Sequence, residues 1–134
     1  RPKVTISILI LFLKAKIYGN SILNMSSGFH IIDIGHRGFS LDRAVSELET
    51  TVSNLVFGGK VRAIKVIHGH GTGALKQGVR EWCEDQAGRF QAVIYGENYD
   101  LFDPDSASMR ADCGSPYDPD LGKGNGAITY IWLW

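Results

Sequence analysis

Hydrophobic and polar residues alternate along this chain with two different periods, and those periods predict its strands and helices. Short apolar runs rich in β-branched residues predict strands over residues 29–34 and 60–67. Between them, apolar residues recur every three or four positions over residues 41–56, which predicts an amphipathic helix. Two glycines at 58–59 follow that helix, and glycine is a common helix stop. The first half of the chain therefore reads β-α-β.

The second half of the chain continues the same order. The apolar spacing predicts a second helix over residues 74–86, a third strand over 90–95 and a closing strand over 127–134. Residues 96–125 are rich in Asp, Pro, Gly and Ser, and we predict a long loop there. The order β-α-β-α-β-β belongs to the α/β class. Crossovers through helices make the early strands parallel and place both helices on a sheet.

Residues 1–24 do not follow this pattern. Residues 4–13 form a largely apolar run between two lysines, which is too short to span a bilayer in the usual way. No small-residue cleavage site follows the run. Three interpretations stay open: an extra strand or helix packed on the domain, a vestigial targeting segment, or sequence upstream of a true start at Met25. We expect the domain itself to occupy residues 25–134.

Composition limits the class of protein more than its function. With 134 residues, 44% apolar and 21% charged, the chain suits one globular domain. Its formal net charge of +0 does not by itself indicate a nucleic-acid partner. The charge is nevertheless uneven, because residues 97–120 hold seven acidic residues and one arginine, while residues 60–89 hold six bases and three acids. We predict a hydrated acidic flap that competes with nucleic acid for a moderately basic face.

The two cysteines, Cys83 and Cys113, have no ligand spacing around them. We expect both thiols to be reduced, as in a cytoplasmic protein, and we expect no membrane partner.

The most informative chemistry lies between the second strand and the second helix, where residues 68–73 read His-Gly-His-Gly-Thr-Gly. Alternating glycines allow positive φ and leave backbone N–H groups uncovered at the start of a helix, where anions bind. Two imidazoles stand beside this turn and can exchange protons near neutral pH. The predicted phosphate-binding residues are Gly69, Gly71, Thr72, Gly73, Lys76 and Arg80.

A second polar segment follows the first strand. Asp33 lies in an otherwise apolar strand, where a carboxylate is costly without a partner, so it serves either the chemistry or the joining of the two loops. The pattern does not decide whether His36 or Arg37 acts with it, and His30 lies outside both segments. The predicted catalytic residues are Asp33, His36, Arg37, His68 and His70, and no metal ligands are predicted.

Together the two segments closely resemble the signatures of the Smr (small MutS-related) domain family, from about Ile31 to the end of the chain. That family shows Asp-Leu-His-Gly or Asp-Leu-Arg-Gly in its first strand and His-Gly-x-Gly-x-Gly before its second helix. Here residues 33–38 read Asp-Ile-Gly-His-Arg-Gly, which is longer than the first signature, and the acidic loop is longer than usual. The resemblance implies an α+β sandwich with a four-stranded mixed sheet and two helices, similar to the C-terminal domain of translation initiation factor three.

The resemblance also implies a nucleic-acid endonuclease, a hydrolase that cuts RNA or nicks DNA and is in some members associated with ribosomes. On RNA, one of His36, His68 or His70 would take the proton of a 2′-hydroxyl while another protonates the leaving oxygen, without a metal. On DNA, water must attack, and Asp33 with a divalent ion such as Mg or Mn becomes more attractive.

Two other functions stay open. One is a non-catalytic module that binds nucleic acid or ribosomes. The other, weaker one is a nucleotide-binding domain, because Gly69, Gly71 and Ala74 satisfy a loose dinucleotide fingerprint and Glu97 stands beyond the next strand. The sequence does not indicate an oligomeric state.

Overall fold

The computed structural model describes residues 28–86 and 88–134, so the expectations for residues 1–24 lie outside the described residues. Over these residues the chain forms four strands, three α-helices and one short 3-10 helix. In chain order the elements are β1 (His30–Asp33), α1 (Leu41–Gly58), β2 (Ala63–Ile67), α2 (Ala74–Glu84), β3 (Ala92–Tyr95), the 3-10 helix (Gly96–Asn98), α3 (Pro104–Asp112) and β4 (Ile128–Trp132).

The four strands form one mixed sheet in the order β1-β2-β4-β3. Strands β1 and β2 are parallel, whereas β4 runs antiparallel to both of its neighbours, β2 and β3. Because a helix connects β1 to β2, the parallel pair follows from the crossover rule. The predicted fold, a four-stranded mixed sheet of the α+β class, is confirmed.

Both faces of the sheet are covered. On one face, α1 and α2 pack through a cluster that includes Leu48, Val52 and Val79, all fully buried. On the other face, Tyr99 and Met109 from the segment after β3 are also fully buried and pack on the sheet. This arrangement explains why the central strands β2 and β4 are buried along nearly their whole length.

The ends of helix α1 follow local sequence rules. The Ser40 side chain caps the first turn by accepting a hydrogen bond from the Arg43 N–H at 3.2 Å, and Gly59 ends the helix at φ 71°. Helix α1 meets α2 where Leu41 lies against Gly78, and a Cβ on Gly78 would come within 2.3 Å of the leucine side chain. The glycine inside α2 therefore serves a close approach between the two helices.

The prediction of a structureless, hydrated loop over residues 96–125 is wrong. The segment contains the 3-10 helix and α3, so the domain has three α-helices over the described residues and not two. Asp103 caps α3 by accepting a hydrogen bond from the Ser106 N–H at 3.0 Å, and proline stands in its first turn. Periodicity did not reveal this helix because Met109 is its only buried apolar side chain. The next buried apolar residue, Cys113, lies just after the helix.

The acidic residues of that segment are not a hydrated flap either. The Lys65 ammonium on β2 lies 2.6 Å from Asp118 Oδ1 and 2.6 Å from Asp120 Oδ2, and Asp112 lies 3.0 Å from Arg62. These ion pairs hold the segment, which we call the insertion (residues 96–125), against the sheet face opposite α1 and α2. In the described part of the chain, no helix is long and apolar enough to cross a membrane.

Candidate functional site

The two polar segments singled out in the sequence lie side by side, because β1 and β2 are parallel neighbours that end at the same edge of the sheet. The N–H groups of Ile34 and Gly35 donate to the carbonyl of Ile67, at 2.9 and 3.1 Å. A Cβ on Gly35 would lie 2.7 Å from the carbonyl carbon and oxygen of His68. Glycine at position 35 therefore lets the first loop touch the second.

The first loop contains a carboxylate–imidazole pair. Asp33 Oδ2 lies 2.7 Å from Nδ1 of His36, and Oδ1 accepts the N–H groups of Gly35 and His36 at 3.0 and 3.2 Å. Partial burial alone would raise the pKa of Asp33, but the hydrogen bonds from His36 and Gly35 outweigh it, so the pKa is lowered. Asp33 is thus ionised at neutral pH and accepts the Nδ1–H of His36, which leaves the other ring nitrogen, Nε2, without a contact to Asp33.

The structure separates His36 from Arg37, which the sequence left as alternatives. The His36 ring contacts Asp33 and its side chain is 76% exposed, so a substrate can reach it. The Arg37 guanidinium instead stacks on Phe39, with its Cζ 4.5 Å from the ring centroid. Only the histidine is therefore brought to the Asp33 carboxylate.

The second loop has the backbone that the alternating glycines predict. Gly69, Gly71 and Gly73 have φ values of 75°, 43° and 89°, all in the left-handed region. Gly73 is the N-cap of α2 and provides no side-chain cap, although Thr72 Oγ1 accepts the Ala74 N–H at 3.4 Å. Contrary to their prediction as phosphate ligands, Gly69 and Gly73 donate their N–H groups to the carbonyls of Ala127 and His70, at 3.1 and 2.8 Å. This end of α2 is positioned to receive an anion, as helix N-termini commonly do.

His68 does not face this loop, contrary to its predicted catalytic role. Its side chain is buried, with Nδ1 2.9 Å from the Gly69 carbonyl oxygen and Nε2 2.9 Å from Thr129 Oγ1. Since a carbonyl only accepts, Nδ1 carries the proton and Nε2 accepts from the threonine hydroxyl. Burial lowers the pKa of His68, with the nearby Arg80 and Lys76 charges adding to the effect. A neutral ring with both nitrogens bonded internally shapes the loop and is not available to a substrate.

Arg80 also has internal partners, so its predicted role at the phosphate is corrected. Its guanidinium forms a bidentate pair with Glu97, at 2.8 and 2.6 Å, and its Nε donates to Thr129 at 3.0 Å. Chiefly because of the hydrogen bond from Arg80, the pKa of Glu97 is lowered to about 2. Glu97 is therefore committed to an arginine, whereas the nucleotide-binding alternative would need it at a ribose.

The exposed histidine of the second loop is His70. Three side chains meet around Gly126: a Cβ on that glycine would be 3.4 Å from His70 Cε1, 2.9 Å from Lys76 Nζ and 3.3 Å from Glu97 Cδ. The His70 ring is therefore close to both Lys76 and Glu97. Lys76 Nζ is 3.4 Å from the Glu97 carboxylate, so its charge is partly balanced. The predicted phosphate ligands Gly71 and Thr72 are exposed beside this group.

Sequence reasoning missed Thr129, and it missed the pairing of Glu97 with Arg80; both hold the second loop in shape. Thr129 on β4 connects Arg80 to His68 from 49 and 61 positions away, and Glu97 lies 17 positions beyond Arg80. No motif spacing signals such contacts, because they depend on how β4 and the 3-10 helix return to the site.

The described residues contain no clustered metal ligands and no exposed thiol. Within residues 28–86 and 88–134, no three His, Cys, Asp or Glu side chains are grouped as a metal site. Cys83 and Cys113 are free and buried, and burial raises their pKa values to about 12 and about 11. Neither thiol is therefore a reactive nucleophile.

Comparisons with known proteins agree with the fold. The family model of the Smr domain matches residues 34–97. Over 51 residues the chain is 31% identical to the Endonuclease MutS2 of Brevibacillus brevis, a match that covers 38% of this chain and 6% of that protein. The chain also resembles the crystal structure of the Smr domain of Thermus thermophilus MutS2, with a TM-score of 0.51 and 20% identity over 78% of this chain and 98% of that one. The chain thus spans only a small part of the curated relative.

Proposed function

Because residues 34–97 place this chain in the Smr domain family, we propose that it binds nucleic acid and cleaves phosphodiester bonds as an endonuclease. The Brevibacillus relative, 31% identical over 51 residues, is named an endonuclease. The single observation that carries the proposal is the Asp33–His36 pair, which stands beside an open glycine turn at a helix N-terminus.

The Asp33–His36 pair suits a general base. A carboxylate on Nδ1 fixes the tautomer and orientation of an imidazole, so that Nε2 accepts a proton. Asp33 is held in place by two backbone N–H groups, and its lowered pKa keeps it charged when the ring becomes an imidazolium. The exposed His70, on the neighbouring loop, is the group we assign as the acid.

On RNA these two histidines account for the whole reaction. Nε2 of His36 takes the proton of the 2′-hydroxyl, and the 2′-oxygen forms a bond to phosphorus while the bond from phosphorus to the 5′-oxygen breaks. His70, as imidazolium, protonates that leaving oxygen. The products are a 2′,3′-cyclic phosphate and a 5′-hydroxyl. The N–H groups at the exposed part of the turn, Gly71 and Thr72, stabilise the charge that develops on the phosphoryl oxygens.

On DNA the same site would work differently. DNA has no 2′-hydroxyl, so water must attack, and a divalent ion beside Asp33 could activate it. The Asp33 carboxylate, however, is already engaged, because it accepts the N–H groups of Gly35 and His36 and bonds the His36 ring. We therefore propose RNA as the preferred substrate, and product analysis distinguishes the two.

The test is to incubate the purified chain with labelled single-stranded RNA and with plasmid DNA, each with and without EDTA, and to analyse the product ends. We expect cyclic-phosphate and 5′-hydroxyl ends from RNA, with no effect of EDTA. Loss of His36 or His70 should lower the cleavage rate by about 100-fold or more, the usual contribution of a general acid or base. Products with only 5′-phosphate ends, formed only without EDTA, would contradict the RNA mechanism.

A matched histidine separates loss of chemistry from loss of structure. His30 on β1 is exposed and outside both loops, so His30→Ala should cut at the wild-type rate. His36→Ala, His70→Ala and Asp33→Asn should keep nucleic-acid binding while cutting is lost. Binding without cutting in every form, including the wild type, would instead support the non-catalytic module.

A further inference from the structure

Two arginines next to the site differ from the other arginines of the described residues. The guanidinium groups of Arg37 and Arg43 have no carboxylate within 4.0 Å and no hydrogen bond in the part of the chain that the structure describes. Four others bond internally: Arg62 to Asp112, Arg80 to Glu97, Arg89 to Glu49, and Arg110 to Tyr99 and Pro116. Among the arginines of the described residues, only this pair therefore has a guanidinium without an internal ion pair or hydrogen bond.

Both guanidinium groups are held on the same aromatic ring. The Cζ atoms of Arg37 and Arg43 each lie 4.5 Å from the centroid of Phe39. Phe39 is partly buried and packs against the core cluster on the helix side of the sheet, so its ring is anchored. Stacking on an anchored ring limits the motion of the long side chains while their N–H groups stay free to bond.

The arginine pair lies at the edge of the candidate site. Arg37 directly follows His36, and Arg43 is in the first turn of α1. Leu41, in the same turn, packs on Gly78 of α2, the helix whose N-terminus closes the glycine turn. The pair thus extends the site from the catalytic loop toward the start of α1.

We propose that Arg37, Phe39 and Arg43 form a backbone-binding platform, which holds the phosphates of the nucleic-acid strand that flank the cleaved bond. Arginine forks match phosphate oxygens in a bidentate way, and such contacts position a strand without reading its bases. The proposal rests on the proposed function and reassigns Arg37 from the reaction to substrate binding. It also adds two residues that no sequence motif indicates.

The experiment measures how binding depends on salt. Fluorescence anisotropy gives the affinity for a labelled single-stranded RNA in which every 2′-hydroxyl is methylated, so that no 2′-oxygen can attack. Each phosphate contact contributes about 0.7 to the slope of log K against log salt on a single strand, over about 50–200 mM salt. We expect Arg37→Gln and Arg43→Gln each to lower that slope by about 0.7 and to weaken binding at low salt. Their melting temperatures should equal that of the wild type, since both side chains are exposed.

Two variants control for a simple loss of charge. Arg89 also lies over aromatic rings, 5.9 Å from that of Trp82 and 5.6 Å from that of Phe90, but it pairs with Glu49 at 2.7 Å. Lys123 is an exposed base on the insertion. Arg89→Gln and Lys123→Gln should leave the slope unchanged.

The outcomes separate the platform from the cleavage reaction. The platform would be overturned by any of three results: unchanged slopes in Arg37→Gln and Arg43→Gln, an equal fall of the slope in the two control variants, or no binding by the wild type. Cleavage of unmethylated RNA with unchanged slopes would overturn the platform and leave the endonuclease intact. Lowered slopes in a chain that cuts nothing would support the platform and contradict the endonuclease.

Discussion

The insertion makes the sharpest stability prediction, because its buried Asp118 should be a structural anchor. Its carboxylate is 1% exposed and lies 2.6 Å from the Lys65 ammonium, which is itself 6% exposed. The same carboxylate accepts the Tyr130 hydroxyl at 2.7 Å and the Asp120 N–H at 3.0 Å. Replacing Asp118 with asparagine would leave most of the shape but remove the charge that Lys65 faces.

The expected loss follows from the cost of a buried charge without its partner. Breaking a buried ion pair by removing one member costs about 3–5 kcal/mol. Lys65 keeps Asp120, whose side chain is 23% exposed, so we expect Asp118→Asn to cost about 3 kcal/mol, the low end of that range. For a domain of this size that lowers the melting temperature by roughly 10 °C. Urea or thermal unfolding followed by circular dichroism measures both quantities.

The control is Asp105→Asn, which removes the same charge from the exposed first turn of α3 and should cost at most about 1 kcal/mol. If the insertion were a hydrated acidic flap, the two variants would be equally stable. Both would also bind nucleic acid more tightly than the wild type, and by the same factor. Equal unfolding midpoints for Asp118→Asn, Asp105→Asn and the wild type would refute the anchoring role of Asp118.

The same pair sets the direction of the pH dependence. Burial alone would raise the pKa of Asp118, but hydrogen bonds from Lys65 and Tyr130 outweigh it and lower the pKa. The stability due to Asp118 is therefore present above pH 4 or so and is lost as the pH falls through the lowered pKa. Burial alone would lower the pKa of Lys65, but its hydrogen bonds to Asp118 and Asp120 outweigh burial and raise the pKa. The stability that Lys65 contributes is therefore lost only as the pH rises through its raised pKa. The stability difference between wild type and Asp118→Asn should thus shrink below about pH 4, and a constant difference would contradict the assignment.

Two further predictions test the shape of the site. Gly35→Ala places a Cβ 2.7 Å from the His68 backbone, so it should lower the free energy of unfolding by about 1–3 kcal/mol and slow RNA cleavage. Gly58→Ala, with open space around it, should change neither quantity in the same assays. Thr129→Val leaves a donor on Arg80 and an acceptor on His68 without a partner, so it should lower the free energy of unfolding by about 2 kcal/mol. Thr129→Ser keeps the hydroxyl and should not. Equal stability of the two variants in urea unfolding would contradict these hydrogen bonds.

The order of the four strands and of helices α1 and α2, and the glycine turn between β2 and α2, could be predicted from the sequence, because they depend on local rules. Helix α1 begins after a serine cap and ends at a glycine, as its residues predict. The alternating glycines between β2 and α2 take positive φ because few other residues do so without strain. The two polar loops meet because parallel strands joined by a helix end at the same edge of a sheet.

Only the tertiary structure decided which polar side chains are exposed at the candidate site. In the sequence, His68 and Arg80 cannot be distinguished from exposed site residues. In the fold both are buried, because they form hydrogen bonds to Thr129 and Glu97, which lie 17 to 61 positions away. Asp118 reads as a solvated acid until Lys65, 53 positions away, is found beside it. Hydrophobic periods and turn residues act over a few positions, whereas burying a charge requires a partner that the folded chain alone brings into contact.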